Sequence, residues 1–306
     1  MSAPRRAPRR LVDGVLLFDK PAGPSSNQAL QTVRRLFNAE KAGHTGTLDP
    51  FATGLLPICF GEATKFSADL LDADKRYLAT AQLGTETDSG DSSGVVVRRH
   101  ELPVDVARDE VESVLGRFRG EIEQVPPMHS ALKRDGTPLY ELARKGIEVE
   151  RTPRRIRVMT LGLVAFENSA MTFSVHCSKG TYVRTLAQDI GRALGCGAHL
   201  TALRRTAIGS FDIEEAISLT QIEGIELPER DRHLKSVDCL VATLPVVALD
   251  ADASRRLGQG QTIAYAGMDG SRVRLQDPNG RFLGVGRSQG DWIKPERLIA
   301  DRGAIC

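Results

Sequence analysis

The apolar positions alternate between a period of two residues and a helical period, so the pattern predicts both strands and helices. The apolar run GVLLFD at residues 14–19 is typical of a strand buried on both faces, and so is the run Leu55 to Phe60. Between them a helix follows a cap at Ser25 or Ser26, and its apolar face comprises Ala29, Leu30, Val33, Leu36 and Phe37. Strands and helices interleave without a regular βαβ repeat, which indicates the α+β class.

The apolar pattern predicts further strands and helices along the rest of the chain. A strand with Tyr77 on its buried face follows Arg76, and further strands are predicted at residues 157–166 and 171–178. A helix then begins near Thr181 and ends at Gly195. From residue 246 many glycines separate short β-like runs, which predicts a small β-rich domain over residues 246–306 after a larger domain over residues 11–245.

Residues 125–152 break the pattern of the larger domain. They contain a Pro126-Pro127 pair, an Asp135-Gly136 turn and a short helix for which we expect Thr137 as the N-cap and Pro138 at the first position. Weak apolar periodicity and many cations predict an insertion that projects from the core.

Charge is distributed unevenly although the formal net charge is only +2. Residues 1–10 contain four arginines and no acid, and residues 133–157 contain eight basic residues against four acidic ones. These two segments carry +8 and the remaining chain carries −6. Such clustering is typical either of a phosphate-facing surface or of a solvated face. We expect residues 1–10 to form a disordered basic tail.

Composition narrows the class of protein. The 306 residues, 41% hydrophobic and 26% charged, are typical of a soluble globular protein. No apolar run approaches the roughly 18 residues of a membrane span, and the N-terminus lacks the apolar core of a signal peptide, so we expect a cytoplasmic protein. The five cysteines and six histidines show no spacing typical of a disulfide framework or a metal site.

The stretch GHTGTLDPFATGLLPICFGEATK, residues 43–65, holds the candidate for chemistry, Asp49. Its glycines and prolines exclude one long helix, so its polar half is predicted to be a shaped loop anchored by the strand that follows. By local chemistry alone Asp49 is more often a turn-capping aspartate.

Several separated motifs change that interpretation. DKPAG, the stretch around Asp49, RYLATAQLG and SKGTYVRTL occur in this order, and together they resemble the bacterial tRNA pseudouridine-55 synthases of the TruB type. The resemblance covers about the first 210 residues well. It implies a pseudouridine synthase fold, with a mixed, largely antiparallel sheet, helices on its faces and a small C-terminal PUA-like domain.

The resemblance also implies a reaction. Uridine 55 in the T loop of tRNA would be isomerised to pseudouridine, after the stacked base is extruded from the loop. The N1–C1′ bond breaks, a C5–C1′ bond forms and only the C5 proton leaves, so no redox cofactor, metal or ATP is required. The implied partner is the T arm of tRNA, and we expect a monomer without a protein partner.

Site residues follow from the matched motifs. Asp49 would be the catalytic carboxylate, acting as a nucleophile at C1′ or C6 or as a base on the sugar. Arg184 would pair with it, and this partner would explain an arginine in the first turn of a helix, where the dipole disfavours a cation. Tyr77 would stack on the uracil near C5, and Tyr182 and Leu203 would line the base pocket.

Two further residues and one segment complete the implied site. His44 would occupy the gap that the extruded base leaves in the RNA. The loop of Lys20 would lie beside the catalytic cleft, although an isolated lysine is more often on the surface. The insertion at about residues 125–152 would grip the RNA arm.

Other functions remain open from the residues. The same chemistry on another RNA is the nearest alternative. An RNA-binding or tRNA-folding protein would retain tRNA affinity after loss of Asp49. A glycoside hydrolase usually needs a second positioned acid, and the central stretch offers none.

Overall fold

A computed structural model describes residues 8–100, 106–267 and 269–300. In these ranges the helices are α1 (Ser26–Leu36), α2 (Ser67–Leu71), α3 (Arg108–Arg117), α4 (Leu139–Arg144), α5 (Val183–Ala193), α6 (Leu219–Glu223), α7 (Leu227–Arg230) and α8 (Ala251–Gly258). The strands before residue 245 are β1 (Gly14–Lys20), β2 (Ala42–His44), β3 (Thr53–Phe60), β4 (Lys75–Leu83), β5 (Thr85–Thr87), β6 (Val96–Arg99), β7 (Gly120–Gln124), β8 (Lys133–Arg134), β9 (Thr137–Pro138), β10 (Arg154–Glu167), β11 (Ala170–Cys177), β12 (Ala198–Ile208), β13 (Phe211–Asp212), β14 (Ile217–Ser218) and β15 (Leu234–Lys235). The C-terminal strands are β16 (Val246–Ala248), β17 (Ile263–Ala264), β18 (Arg272–Gln276), β19 (Phe282–Gln289) and β20 (Trp292–Leu298).

One large sheet organises the first part of the chain. Within the described residues it has eleven strands, with β14-β1-β3-β12-β4-β11-β10-β7 as its main order and β2, β13 and β15 paired to β3, β12 and β1. Only the pairs β1–β14 and β3–β12 are parallel among the described pairs of this sheet. The mixed, largely antiparallel sheet is therefore confirmed.

The run GVLLFD becomes strand β1 because both faces of the sheet are covered. Leu16 and Phe18 point to the face that packs against helices α1, α3 and α5, whereas Val15 and Leu17 point to the opposite face. Alternate side chains of one strand thus enter two separate hydrophobic clusters. Helix α1 starts at the predicted cap, since Ser25 and Gln28 form a capping box.

The insertion connects two paired strands, because β7 and β10 are antiparallel neighbours at the sheet edge. It contains the β8–β9 hairpin and helix α4. The predicted cap at Thr137 is wrong: Thr137 pairs with Arg134 in the hairpin, and Pro138 occupies the N-cap position. A residue before proline favours an extended backbone, which suits the hairpin better than a helix start.

The C-terminal unit is β-rich, as predicted. Strands β16-β18-β19-β20-β17 form a five-stranded sheet, and one face packs on α8 through Leu257 and Leu275. Its other face packs on the first part of the chain, where Phe66 and Phe282 meet edge to face with ring centroids 5.3 Å apart. An ion pair between Arg272 and Asp69 adds a polar contact between the two units.

Residues 1–7 of the predicted basic tail lie outside the described residues, whereas Arg10 forms a bridge with Ala39 and an ion pair with Asp231. None of the described helices is both long enough and apolar enough to cross a membrane.

Candidate active site

Asp49 lies in the loop between β2 and β3, two strands that pair as an antiparallel hairpin. The loop is fastened to the helix α1 start, since the Ser26 hydroxyl accepts from the Leu48 N–H at 2.7 Å and donates to the Leu48 carbonyl at 2.8 Å. On the far side of Asp49, the Pro50 carbonyl accepts from the Gly23 N–H at 2.8 Å. Hydrogen bonds to the main chain on both sides of Asp49 therefore fix its position.

Two buried cations also donate hydrogen bonds to this loop. Lys20 is completely buried, and its ammonium donates to the carbonyls of Pro21, Pro24 and Pro50 at 2.8, 2.9 and 3.3 Å. Burial lowers the pKa of Lys20 to about 8, opposed by Asp49 and reinforced by Arg205. The expectation of a surface lysine from local sequence alone is wrong, because Lys20 is buried and bonded to the Asp49 loop.

Arg205 is the second of these cations and is 1% exposed. Its guanidinium donates to the Leu55 carbonyl at 2.8 Å and to the Gly46 carbonyl at 3.0 Å, so it joins strand β3 to the Asp49 loop. The strands approach closely here, since a Cβ at Gly54 would lie 2.3 Å from the Arg205 carbonyl oxygen. Glycine at φ +103° is required at that position.

Asp49 and Arg184 form a two-point contact. Arg184 Nε lies 3.0 Å from Asp49 Oδ2, and Nη2 donates to Oδ1 at 3.3 Å. Such a fork fixes the plane of the carboxylate as well as its position. The Arg184 side chain is 5% exposed, while Asp49 keeps 36% of its side chain exposed, facing the cavity described below.

Arg184 has three more partners, and sequence reasoning found none of them. Its guanidinium donates to the carbonyls of Ser89 at 2.8 Å and His129 at 2.6 Å, and it lies 3.4 Å from the buried carboxylate of Asp91. Asp91 lies in the stretch TETDSGDSSG, residues 85–94, whose acids and glycines predict only a turn. Because Asp91 is 42 residues from Asp49 and carries no motif, only the fold could bring the two acids to one arginine.

Burial raises the pKa of Asp49, Arg184 acts in the opposite direction, and Asp91 adds to the rise. The environment thus disfavours the charged form of the carboxylate while the guanidinium stabilises it. A carboxylate that is partly desolvated and held in one orientation suits either a nucleophile or a base.

A cavity of about 260 Å³ opens in front of Asp49. Its wall brings together five of the seven predicted site residues: Asp49, Tyr77, Tyr182, Arg184 and Leu203. Burial raises the pKa of both phenols, so Tyr77 and Tyr182 are neutral near pH 7. The cavity wall therefore combines one acid, Asp49, with three cations, Lys75, Arg184 and Arg205, and with apolar or neutral surfaces.

His44 and Lys20 do not line this cavity. His44 lies at the end of β2 and lines a wider groove of about 560 Å³, which shares Asp49 and Arg184 with the cavity. Burial lowers the pKa of His44, and Arg205 lowers it further, so the imidazole is neutral at pH 7. Lys20 donates to the Pro50 carbonyl of the Asp49 loop and is not part of the cavity wall.

The described residues include no group of three or more His, Cys, Asp or Glu side chains that could hold a metal ion.

Three family models cover most of the chain. The N-terminal domain of the TruB family pseudouridylate synthases matches residues 34–183, and the tRNA pseudouridylate synthase B C-terminal domain matches residues 184–242. The model described as pseudouridine synthase II TruB, C-terminal, matches residues 245–299.

Relatives and solved structures agree with these models. A protein named tRNA pseudouridine synthase B from Azoarcus sp. (strain BH72) is 58% identical, covering 97% of this chain and 98% of the relative. One of the same name from Burkholderia lata is 54% identical, covering 96% and 92%. A chain in the crystal structure of a Cbf5–Nop10–Gar1 complex has a TM-score of 0.72 at 27% identity, covering 94% of this chain and 85% of the other. The chain belongs to the TruB family of pseudouridylate synthases.

Proposed function

We propose that the chain isomerises uridine 55 in the T loop of tRNA to pseudouridine, with Asp49 as the catalytic carboxylate acting on an extruded base. The observation that carries the proposal is the forked ion pair of Asp49 and Arg184 at the wall of a cavity that Tyr77 and Tyr182 also line. The relatives named tRNA pseudouridine synthase B supply the substrate class.

The chemistry needs a carboxylate beside the sugar and a surface for the base. Asp49 supplies the carboxylate, whether it attacks C1′ or C6 or removes a proton from the sugar. Arg184 keeps the carboxylate oriented and favours its charged form. Tyr77 offers its ring to the uracil. Arg205 opposes the rise in the pKa of Tyr77 caused by burial, and the phenol oxygen, once ionised, would accept the C5 proton.

The base must leave the RNA stack before it can enter so narrow a cavity, at a cost of a few kcal/mol. His44 lines the groove next to the cavity and is neutral, so its ring can stack where the uridine has left. Tyr182 and Leu203 would then enclose the base from the cavity wall.

The insertion at residues 125–152 is proposed to grip the RNA arm. Its hairpin exposes Lys133 and Arg134, and the end of α4 exposes Arg144, whose guanidinium lies 5.6 Å from the Tyr140 ring centroid. Cations beside an aromatic ring suit a phosphate backbone with adjacent bases. The proposal also places a monomer in the cytoplasm, acting on the T arm of tRNA.

The deciding experiment measures tritium release from a tRNA transcript labelled at uracil C5, with the product mapped along the RNA. We expect release by the wild type at the T loop and none by Asp49→Asn. The matched control is Asp189→Asn, which neutralises an acid on α5 that pairs with Arg192 and does not line the cavity in front of Asp49.

Each other outcome selects a different conclusion. Release by both Asp49→Asn and the wild type removes Asp49 from catalysis. Release elsewhere in the RNA contradicts the T-loop target. Tight tRNA binding without release by any form supports a binding protein instead.

A further inference from the structure

Ser130 carries a buried hydroxyl at the active site that neither the fold nor the proposed chemistry uses. Its side chain belongs to a residue only 5% exposed, and Oγ has no hydrogen-bond partner within residues 8–100, 106–267 and 269–300. Leaving a buried hydroxyl without a partner is unfavourable, so such an atom requires an explanation.

The main chain fixes where this hydroxyl lies. The Ser130 N–H donates to the Met128 carbonyl at 2.9 Å, and the Ser130 carbonyl accepts from the Tyr140 N–H at 3.1 Å. The preceding carbonyl, from His129, accepts from Arg184. Ser130 is thus held between the insertion and the arginine that orients Asp49.

The nearby Tyr182 phenol does not satisfy the Ser130 hydroxyl. Ser130 is close enough to lower the pKa of that phenol against the larger effect of burial. The Ser130 oxygen nevertheless meets the geometry of a hydrogen bond with no described residue.

The position of Ser130 indicates which part of a nucleotide supplies the missing hydrogen-bond partner of its hydroxyl. Ser130 lines both the cavity in front of Asp49 and the wider groove of His44, as do Asp49 and Arg184. A base in the cavity and an RNA strand in the groove must be joined by the ribose at this shared wall. Two of the three chemistries open to Asp49, attack at C1′ and removal of a sugar proton, also place its carboxylate beside the ribose.

We infer that the Ser130 hydroxyl hydrogen-bonds the 2′-hydroxyl of the target nucleotide and makes the enzyme select RNA over DNA at that position. The inference rests on the proposed function. Both hydroxyls can donate and accept, so either one can rotate to donate to the other. The 2′-hydroxyl is also the group that distinguishes RNA from DNA at a single site.

The test is a cycle of two proteins and two substrates. Wild type and Ser130→Ala are assayed on T-arm RNA with either uridine or 2′-deoxyuridine at the target, and the isomerised nucleoside is measured after digestion. We expect each single change to lower kcat/KM by roughly 3- to 10-fold, as for loss of one hydrogen bond. Combining the two should cause no further loss, because both remove the same bond.

Several results would overturn the inference. If the two losses in kcat/KM multiply when Ser130→Ala is assayed on 2′-deoxyuridine RNA, Ser130 and the 2′-hydroxyl act independently. A wild type that treats both substrates equally would exclude the contact without any variant. No product from wild type on the RNA would overturn the proposed function itself, and with it this inference.

A matched control separates contact from folding. Ser288→Ala removes another completely buried hydroxyl without a described partner, in β19 of the C-terminal sheet. We expect it to leave both substrates unaffected. The thermal unfolding midpoint of Ser130→Ala should match that of the wild type, because the substitution leaves no described group without its hydrogen-bond partner.

Discussion

Arg184 holds both oxygens of Asp49, with contacts of 3.0 Å and 3.3 Å from two nitrogens of one guanidinium. The same guanidinium is held from behind by two carbonyls and by Asp91. An arginine with so many fixed partners can orient a carboxylate, because its own position is determined before substrate arrives.

Arg184→Lys should lower the single-turnover rate about 10- to 100-fold, since an ammonium retains the charge but cannot form the fork. The rate of tritium release from tRNA measures this. Arg192→Lys on the same helix is the control, because Arg192 pairs with the partly exposed Asp189. A rate within about twofold of the wild type would contradict the role of the fork.

Asp91→Asn should move the acid limb of the pH–rate profile to lower pH. The negative charge of Asp91 raises the pKa of Asp49, so its removal lowers that pKa and keeps Asp49 ionised in more acidic solution. Single-turnover rates as a function of pH measure the shift. Asp88→Asn in the same loop should leave the limb in place, and an upward shift in Asp91→Asn would refute the prediction.

Lys20 should make stability rise with pH between about pH 8 and the ordinary lysine pKa. Its folded pKa is about 8, below the unfolded value of roughly 10.4, so the unfolded chain binds more protons in that window. Stability should increase there by up to about 3 kcal/mol relative to Lys20→Met, whose side chain does not titrate. Urea unfolding at several pH values checks this, and parallel curves for the two proteins would disprove it.

Gly54→Ala should destabilise the fold by at least about 3 kcal/mol, because the added Cβ meets the Arg205 backbone at an unfavourable φ. Gly116→Ala is the opposite case, since it adds a Cβ in open space within helix α3 and should stabilise by about 0.5–1 kcal/mol. Denaturant midpoints compare the two, and equal effects would refute the close approach.

The local sequence pattern predicted those elements whose formation depends only on neighbouring residues. The capping box at Ser25 and the buried run of β1 needed only the residues around them. Thr137 failed as a cap because a hairpin with Arg134 competed for its backbone.

The candidate site was accessible from sequence only where motifs matched. The sequence analysis missed three residues whose roles depend on which strands become neighbours: Asp91, Ser89 and Arg205. Neither sequence spacing nor residue type determines which strands pair. Ser130 is missed for the same reason, since its importance lies in a buried atom without a described partner.

Two of the acceptors that hold Arg184 are main-chain carbonyls, at Ser89 and His129. Every amino acid supplies a carbonyl, so either position tolerates exchange of its side chain without losing that bond. Lengthening or shortening the chain by one residue near either position would displace the acceptor altogether. At these two positions the support of Arg184 in this chain therefore depends on loop length rather than on residue type.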